Sequence, residues 1–189
     1  CRDHHSPGLT MSSFENDLFS TSRQAELPLA SRMRPRNLDE VVGQEQLIGP
    51  GKPLSNFQGN PPSMILWGPP GVGKTSIARL LAKDRPFHQL SAVLDGVAEL
   101  RRRVESIRQE SRKAVLFVDE IHRWNKSQQD SLLPYLEDGT LTLIGATTEN
   151  PSFSMVSPLL SRCKVFVLKS LIEEDIKNLI RKALADSER

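Results

Sequence analysis

A glycine-rich loop between an apolar run and a helical pattern is the feature that most constrains the fold of this chain. Residues 68–75 read GPPGVGKT and fit the pattern G-x-x-x-x-G-K-[ST]. The apolar run 64–67 precedes the loop, and the apolar-periodic run 77–82 follows it. Glycines let backbone N–H groups turn inward around phosphate oxygens, and the following helix points its positive end at the same anion. The sequence therefore predicts a phosphate-binding loop between a strand and a helix.

This loop supplies the first candidate residues. Lys74 would reach the β and γ phosphates of a nucleotide, and Thr75 would offer its hydroxyl to Mg²⁺. The full set of predicted nucleotide-binding residues in the loop is Gly68, Pro69, Pro70, Gly71, Val72, Gly73, Lys74, Thr75 and Ser76.

Two acidic residues after another apolar run supply the other half of the predicted site. The run AVLFV at 114–118 is followed by Asp119 and Glu120. Asp119, at the carboxyl end of a strand, would hold Mg²⁺ largely through water. Glu120 could polarise the attacking water. We therefore expect a ligand crevice at the carboxyl ends of parallel strands, and hydrolysis of the bound nucleotide.

Continuous apolar runs alternate with helical patterns from about residue 38 onward. The continuous runs are typical of strands buried on both faces of a parallel sheet, and they lie at 64–67, about 87–91, 114–118, 141–146 and 164–168. Between them, the spacing of apolar residues at 97–107 predicts a helix with one apolar stripe. Asn125 and Gln128 resemble a capping box, and Pro134 should bend or interrupt the helix that follows. The alternation predicts an α/β domain.

Composition excludes several classes of protein. The chain has 189 residues, 38% apolar and 25% charged, which fits one globular domain, and a net charge of +2 says little about partners. The two cysteines, Cys1 and Cys163, favour a reducing compartment. No apolar run approaches the roughly 18 residues of a membrane span. Residues 1–30 are polar and are predicted to be mobile, and we expect residues 1–10 to be vector- or translation-derived.

The sequence resembles the AAA+ ATPases, and within them the replication-associated recombination protein A group, whose eukaryotic counterpart is the Werner-helicase-interacting protein. The matching stretches are 28–54, 63–82, 90–101, 116–153 and 158–171. The run HRWNKSQQD at 122–130, followed by GATTENPSF at 145–153, is specific to this group. The resemblance implies a P-loop NTPase of the AAA+ class, a three-layer α/β domain with a five-stranded parallel sheet and helices on both faces. It also implies ATP and Mg²⁺ as the cofactors.

The resemblance implies roles for four more residues. Val41 and Val42 match a segment that cradles adenine, although ordinary core packing remains an alternative for valines. Thr148 matches the sensor-1 position, where a hydroxyl hydrogen-bonds the γ-phosphate or the attacking water. Arg162, within Ser-Arg-Cys, matches an arginine finger that enters the neighbouring subunit's ATP site, and a surface salt bridge is the alternative. The catalytic set is then Glu120, Lys74, Thr148 and Arg162.

The resemblance also implies a biological role and partners. The group acts on DNA at stalled replication forks, in replication, recombination and repair, as a homo-oligomer that is cytoplasmic in bacteria. Forked or single-strand/double-strand junction DNA is the expected substrate, with a single-strand-binding protein or a sliding clamp as further candidates. Residues 15–19, ENDLF, loosely resemble a clamp-docking peptide but lack its glutamine. The sequence shows no exposed aromatic platform, and the basic residues that could meet phosphates are Arg32, Arg34, Arg36, Arg123 and Lys126.

Several alternatives remain open. Residues 119–122, DEIH, could be the DExH box of a superfamily 2 helicase, but the chain has no room for a second RecA-like domain. A Holliday-junction branch-migration motor, a clamp-loader-like subunit and a non-hydrolysing assembly module are further alternatives, and Glu120 argues against the last. By resemblance, the ATPase core spans 31–170, and 171–189 begin a helical lid that is followed by an oligomerisation domain. We therefore expect this chain alone to bind ATP but to hydrolyse it slowly.

Overall fold

Five strands form one sheet, and each coincides with an apolar run identified in the sequence. They are β1 Met64–Trp67, β2 Phe87–Ser91, β3 Ala114–Asp119, β4 Leu141–Thr147 and β5 Lys164–Val167. Their order is β2-β3-β4-β1-β5, and every neighbouring pair is parallel. The predicted five-stranded parallel sheet is confirmed.

The protein is described by a computed structural model that covers residues 32–110 and 113–187. Residues 35–178 form one compact unit, which contains the whole sheet. The other described residues, 32–34 and 179–187, belong to a second unit. The domain limits expected from the sequence, with a core of 31–170 between a flexible segment and a lid, stay predictions.

Seven α-helices lie within the described residues. They are α1 Lys74–Ala82, α2 Val97–Arg108, α3 Lys126–Asp130, α4 Leu133–Glu137, α5 Pro151–Ser154, α6 Ser157–Leu160 and α7 Glu173–Ser187. The predicted capping box is present at the start of α3, where Asn125 and Gln128 bond each other's backbone N–H groups. Pro134 lies in the first turn of α4, so the helical pattern breaks into two short helices as expected.

Two apolar clusters cover the two faces of the sheet. Successive residues of β1 point to opposite faces, so Met64 and Leu66 lie in one cluster and Ile65 lies in the other. The first cluster includes Ile77 and Leu81 of α1. The second includes Leu100, Val104 and Ile107 of α2, all buried along the predicted stripe. Helices therefore pack on both faces, and the domain has three layers.

Burial differs from expectation at the two edges of the sheet. The sequence predicted strands buried on both faces, and β1, β3 and β4 are almost wholly buried. In β5, however, Val165 and Val167 are exposed, and β2 is only half-buried. The prediction was wrong for these two strands because each has a single neighbour at the end of the sheet order.

The parallel register decides which residues meet at each edge of the sheet. Trp67, the last residue of β1, pairs with Thr147, the last residue of β4. The segments that follow β1, β3 and β4 therefore lie side by side at the carboxyl edge. Lys164, the first residue of β5, pairs with Met64, the first residue of β1. What precedes β5 therefore lies at the opposite, amino edge.

Candidate nucleotide-binding site

The loop after β1 has the backbone of an anion-binding cradle. Gly71 and Gly73 adopt left-handed conformations, with φ of +78° and +91°. A Cβ atom at either position would meet no heavy atom within 4 Å, so the backbone angle rather than crowding calls for glycine there. Helix α1 begins directly afterwards at Lys74. The amides at its amino end thus point into the same open space as the loop.

Lys74 is held inside this loop. Its side chain is buried, and its Nζ donates to the carbonyl oxygens of Gly68 at 2.7 Å and Pro69 at 2.8 Å. Burial lowers the pKa of Lys74, and the nearby carboxylates of Glu120 and Asp119 oppose that change. The loop therefore contains a desolvated cation with two acids close to it.

Asp119 and Glu120 end β3 at this same edge. Burial raises the pKa of Asp119, and the charge of Glu120 raises it further, while the Glu120 N–H and Lys74 act the other way. The Glu120 N–H lies 3.2 Å from Asp119 Oδ1. Glu120 itself adopts a left-handed conformation with φ of +52°, which is uncommon for a residue with a side chain. The chain thus turns sharply after the strand and leaves both carboxylates at its end.

Thr148 follows β4 and meets Glu120 directly. Its hydroxyl donates to Glu120 Oε2 at 3.3 Å. The structure therefore brings together four residues singled out in the sequence, Lys74, Asp119, Glu120 and Thr148, from the ends of three adjacent strands. Thr75 and Ser76 lie in the first turn of α1, beside Lys74.

Arg162 lies apart from this group. It precedes β5 and so lies at the amino edge of the sheet, about 10 Å or more away along a four-residue strand. Its guanidinium donates to Pro158 O at 2.8 Å, to Ser161 Oγ at 3.2 Å and to Glu137 Oε1 at 2.5 Å. The structure does not bring Arg162 to the loop of its own chain. Arg162 instead forms an ion pair with Glu137, which agrees with the surface salt bridge kept as an alternative to the arginine finger.

The segment around Val41 and Val42 is anchored near the loop. Both valines are half-buried, and Val41 packs against the apolar cluster that contains Val72 of the loop. The neighbouring Gln44 is buried, donates to Lys169 O at 2.9 Å and accepts from Lys169 N at 3.0 Å. Packing and a place beside a base are both compatible with this arrangement.

Comparison with known proteins identifies the family. The model of the family described as ATPase family associated with various cellular activities (AAA) matches residues 64–171, more than half of the chain. The chain belongs to this AAA family. It is 52% identical to replication-associated recombination protein A of Escherichia coli K12 over 169 residues, 86% of this chain and 38% of that protein. It is also 45% identical to ATPase WRNIP1 of Dictyostelium discoideum, over 88% of this chain and 20% of that protein.

Solved structures show the same fold. The RuvB Holliday junction branch migration motor of Thermotoga maritima matches with a TM-score of 0.68 and 32% identity, over 82% of this chain and 55% of that one. The predicted resemblance to the replication-associated recombination protein A group, the AAA fold and the assignment to an ATPase family are confirmed. The chain spans about two fifths of the length of the Escherichia coli protein.

The residues of the site fit ATP and Mg²⁺. The loop has open, glycine-permitted backbone, a helix amino end and a lysine, all suited to phosphates. Within residues 32–110 and 113–187, no group of three or more His, Cys, Asp or Glu side chains could hold a metal ion. Mg²⁺ is commonly held by one or two protein oxygens together with phosphates and water. Thr75 and Asp119 could provide those oxygens.

Three residues that the sequence analysis left without a role take part in the site or support it. His122, whose side chain is 4% exposed, lies 3.3 Å from Glu120 Oε2. The hydroxyl of the buried Thr147 lies 3.0 Å from His122 Nδ1. Gln129 is buried and donates to Trp124 O, before α3, and to Ser154 O, at the end of α5. The sequence offered one signal for His122, its position directly after Asp-Glu-Ile, and none for Gln129.

The basic residues expected to meet DNA phosphates lie mostly on the surface. Arg34, Arg36, Arg123 and Lys126 are exposed, and Arg32 is half-buried. The sequence showed no exposed aromatic platform, yet Phe153 is 89% exposed on α5. The clamp-docking candidate at 15–19 lies outside the described residues. Over the part of the chain that the structure describes, no helix has the length and apolar character needed to cross a membrane.

Proposed function

We propose that this chain is the ATP-hydrolysing core of a DNA-dependent AAA+ ATPase that acts at stalled replication forks. The observation that carries the proposal is the meeting of Lys74, Asp119, Glu120 and Thr148 at the carboxyl edge of the sheet. These residues have the charges and hydroxyls that phosphoryl transfer to water requires. The similarity to replication-associated recombination protein A supports the setting of DNA replication and recombination.

Each residue at the carboxyl edge has a separate task in this proposal. The loop amides and Lys74 bind the phosphates of ATP and orient the γ-phosphate. Glu120 accepts a hydrogen bond from the attacking water and aligns it in line with the leaving group. Thr148 orients the same water or the γ-phosphate from the other side. Thr75 and Asp119 would hold Mg²⁺, which when bound would supply positive charge to the phosphates.

The position of Arg162 supports hydrolysis between subunits. A guanidinium near the γ-phosphate is worth about 10³ to 10⁵ in rate. Arg162 is at the amino edge and cannot reach the loop of its own chain without unfolding β5. A head-to-tail ring, in which the amino edge of one subunit meets the carboxyl edge of the next, would place it at a neighbour's phosphates.

DNA is the proposed macromolecular partner. Arg123 and Lys126 are exposed and make no ion pair among the described residues, so they are available for phosphates. They flank the loop after Glu120, and the exposed ring of Phe153 lies on the next short helix after Thr148. Exposed rings of this kind stack on unpaired bases. The proposal also includes a single-strand-binding protein or a sliding clamp as a partner, and a place in the bacterial cytoplasm near the nucleoid.

A branch-migration motor is the second candidate function, and a structural similarity supports it. The structural similarity to the RuvB motor covers 82% of this chain. Sequence identity is higher to replication-associated recombination protein A, at 52% against 32%. Turnover stimulated more by four-way junctions than by forked DNA would favour the motor.

Steady-state ATP hydrolysis, with and without forked DNA, tests the proposal. We expect Glu120→Gln and Arg162→Ala each to lose DNA-stimulated turnover while binding ATP normally. Lys74→Ala should lose ATP binding itself, measured with a fluorescent nucleotide. Turnover that survives Glu120→Gln would contradict the role of Glu120. Turnover by a demonstrably monomeric sample, at the rate of an intact oligomer, would contradict hydrolysis between subunits.

A further inference from the structure

His122 contacts the machinery of the site but has no role in the function proposed above. Its ring is nearly fully buried, with 4% of the side chain exposed. Nδ1 lies 3.0 Å from Thr147 Oγ1 and 3.3 Å from Glu120 Oε2. Nε2 lies 3.7 Å from Glu149 Oε1, at the start of the loop after β4. One imidazole thus lies between the carboxylate of Glu120, which follows β3, and the exposed carboxylate of Glu149, which follows β4.

The contacts of Nδ1 favour a hydrogen on that nitrogen. Glu120, as a carboxylate, can only accept, so its 3.3 Å contact with Nδ1 is attractive when Nδ1 carries a hydrogen. The Thr147 hydroxyl accepts from Glu149 N at 3.0 Å, and its own hydrogen can go to Glu149 O at 3.2 Å or to Nδ1 at 3.0 Å. With that hydrogen on Glu149 O, the Nδ1 hydrogen is donated to Thr147 Oγ1 and lies beside Glu120 Oε2.

The side chain of Glu120 is contacted from two sides. The residue has a left-handed conformation at the end of a strand, and about a third of its side chain is exposed. One oxygen, Oε2, receives Thr148 from one side and lies within reach of His122 on the other. The Thr148 hydrogen bond and the His122 contact act on the same oxygen, so together they limit the direction of the carboxylate and leave Oε1 for a water molecule.

We propose that His122 is a positioning residue for Glu120. It acts through its Nδ1 hydrogen, and it connects the orientation of Glu120 to Thr147 and Glu149 on the segment that carries Thr148. Thr147 O also accepts from Gly68 N at 3.1 Å, so this segment is bonded to the phosphate loop as well. The inference rests on the proposed hydrolysis, because positioning Glu120 matters only if Glu120 aligns water.

Three variants test whether His122 positions Glu120 or only contributes to packing. His122→Leu keeps the bulk and removes the donor, whereas His122→Asn places an amide N–H near the position of Nδ1. His88→Leu is the matched control, because His88 is also mostly buried and contacts a carboxylate, Glu110, at 2.7 Å, but lies on β2 away from Glu120. We expect His122→Leu to lower kcat by about 10- to 100-fold, as small misplacement of a reacting group does. The Kd for ATP should change less than about 2-fold, because phosphate binding does not involve Glu120.

His122→Asn should recover most of the lost kcat, and His88→Leu should keep wild-type kcat even if its thermal unfolding midpoint falls. A His122→Leu variant with wild-type kcat, or equal losses in the leucine and asparagine variants, would overturn the proposal.

A long-range ¹H–¹⁵N NMR spectrum of the ring reads out the contact without turnover. We expect the Nδ1 signal of His122 to shift in Glu120→Gln, and an unmoved signal would also overturn the proposal. If the intact oligomeric wild-type protein shows no turnover, the proposed function fails while the NMR result still decides the contact.

Discussion

Asp119 destabilises the fold in its charged form, because the site removes it from water. Burial and the neighbouring Glu120 raise its pKa above the ordinary 3.8, so the folded state disfavours the carboxylate relative to the unfolded chain. The destabilisation is therefore absent well below pH 3.8 and fully present once the pH has risen through the folded pKa. We expect Asp119→Asn to raise the free energy of unfolding at pH 7, with the gain disappearing on acidification. Urea unfolding at several pH values measures this.

Asp138 provides a control of opposite sign. Hydrogen bonds from Thr140 lower its pKa, and the backbone bond from Thr140 N is 2.8 Å long. The folded state therefore favours its carboxylate, and that stabilisation is lost as the pH falls through the folded pKa. Asp138→Asn should slightly lower stability at pH 7. If both variants changed stability in the same direction at pH 7, a general effect of charge removal would explain the data better.

The short helix α3 is held in place by one buried side chain, Gln129. Its amide donates to Trp124 O at 2.9 Å and Ser154 O at 3.0 Å, and it accepts from Val156 N at 3.0 Å. Leaving buried polar groups unpaired costs about 1 to 3 kcal/mol each. We expect Gln129→Leu to lower the free energy of unfolding by about 3 kcal/mol, measured by urea unfolding followed by tryptophan fluorescence.

The adjacent Gln128 is the matched control at this scale. It is on the same helix, but within the described part of the chain the hydrogen bonds of its side chain are confined to the exposed capping box with Asn125. Gln128→Ala should cost about 1 kcal/mol or less. Equal effects of the two substitutions would mean that α3 is stabilised by its cap rather than by the buried amide.

At the level of elements, strands were predictable and their burial was not. Continuous apolar runs mark strands because most strands of a parallel sheet are covered on both faces. Edge position depends on strand order, which no local pattern encodes, so β2 and β5 were expected to be buried and are not.

Lys74 and Asp119–Glu120 were identifiable because chemistry fixes their spacing from a strand end. His122, Thr147 and Gln129 were missed because their importance comes from contacts across 25 to 27 residues of sequence.

At the level of the whole molecule, DNA binding should depend on the basic surface beside the site. Arg123→Glu and Lys126→Glu should each weaken binding to forked DNA and reduce the slope of log K against log salt by about 1. Arg102→Glu is the control, because Arg102 is also exposed but lies on α2, where it pairs with Glu99 at 3.2 Å. Fluorescence anisotropy over a salt series provides the measurement. An affinity that does not respond to salt would contradict a phosphate-contacting surface.

The proposed assembly would connect the two edges of the sheet. If Arg162 of one subunit completes the site of the next, Lys74→Ala and Arg162→Ala damage different halves of one shared site. Each variant alone should have almost no turnover. A 1:1 mixture of the two in the intact protein should recover about one quarter of wild-type turnover, because random assortment pairs an intact loop with an intact Arg162 at about one interface in four.

Mixing Lys74→Ala with Glu120→Gln is the control, since both damage the same half and no recovery can follow. A 1:1 mixture of Lys74→Ala and Arg162→Ala that stays inactive, although the variants co-assemble by size-exclusion chromatography, would place the function of Arg162 within its own chain, in the ion pair with Glu137.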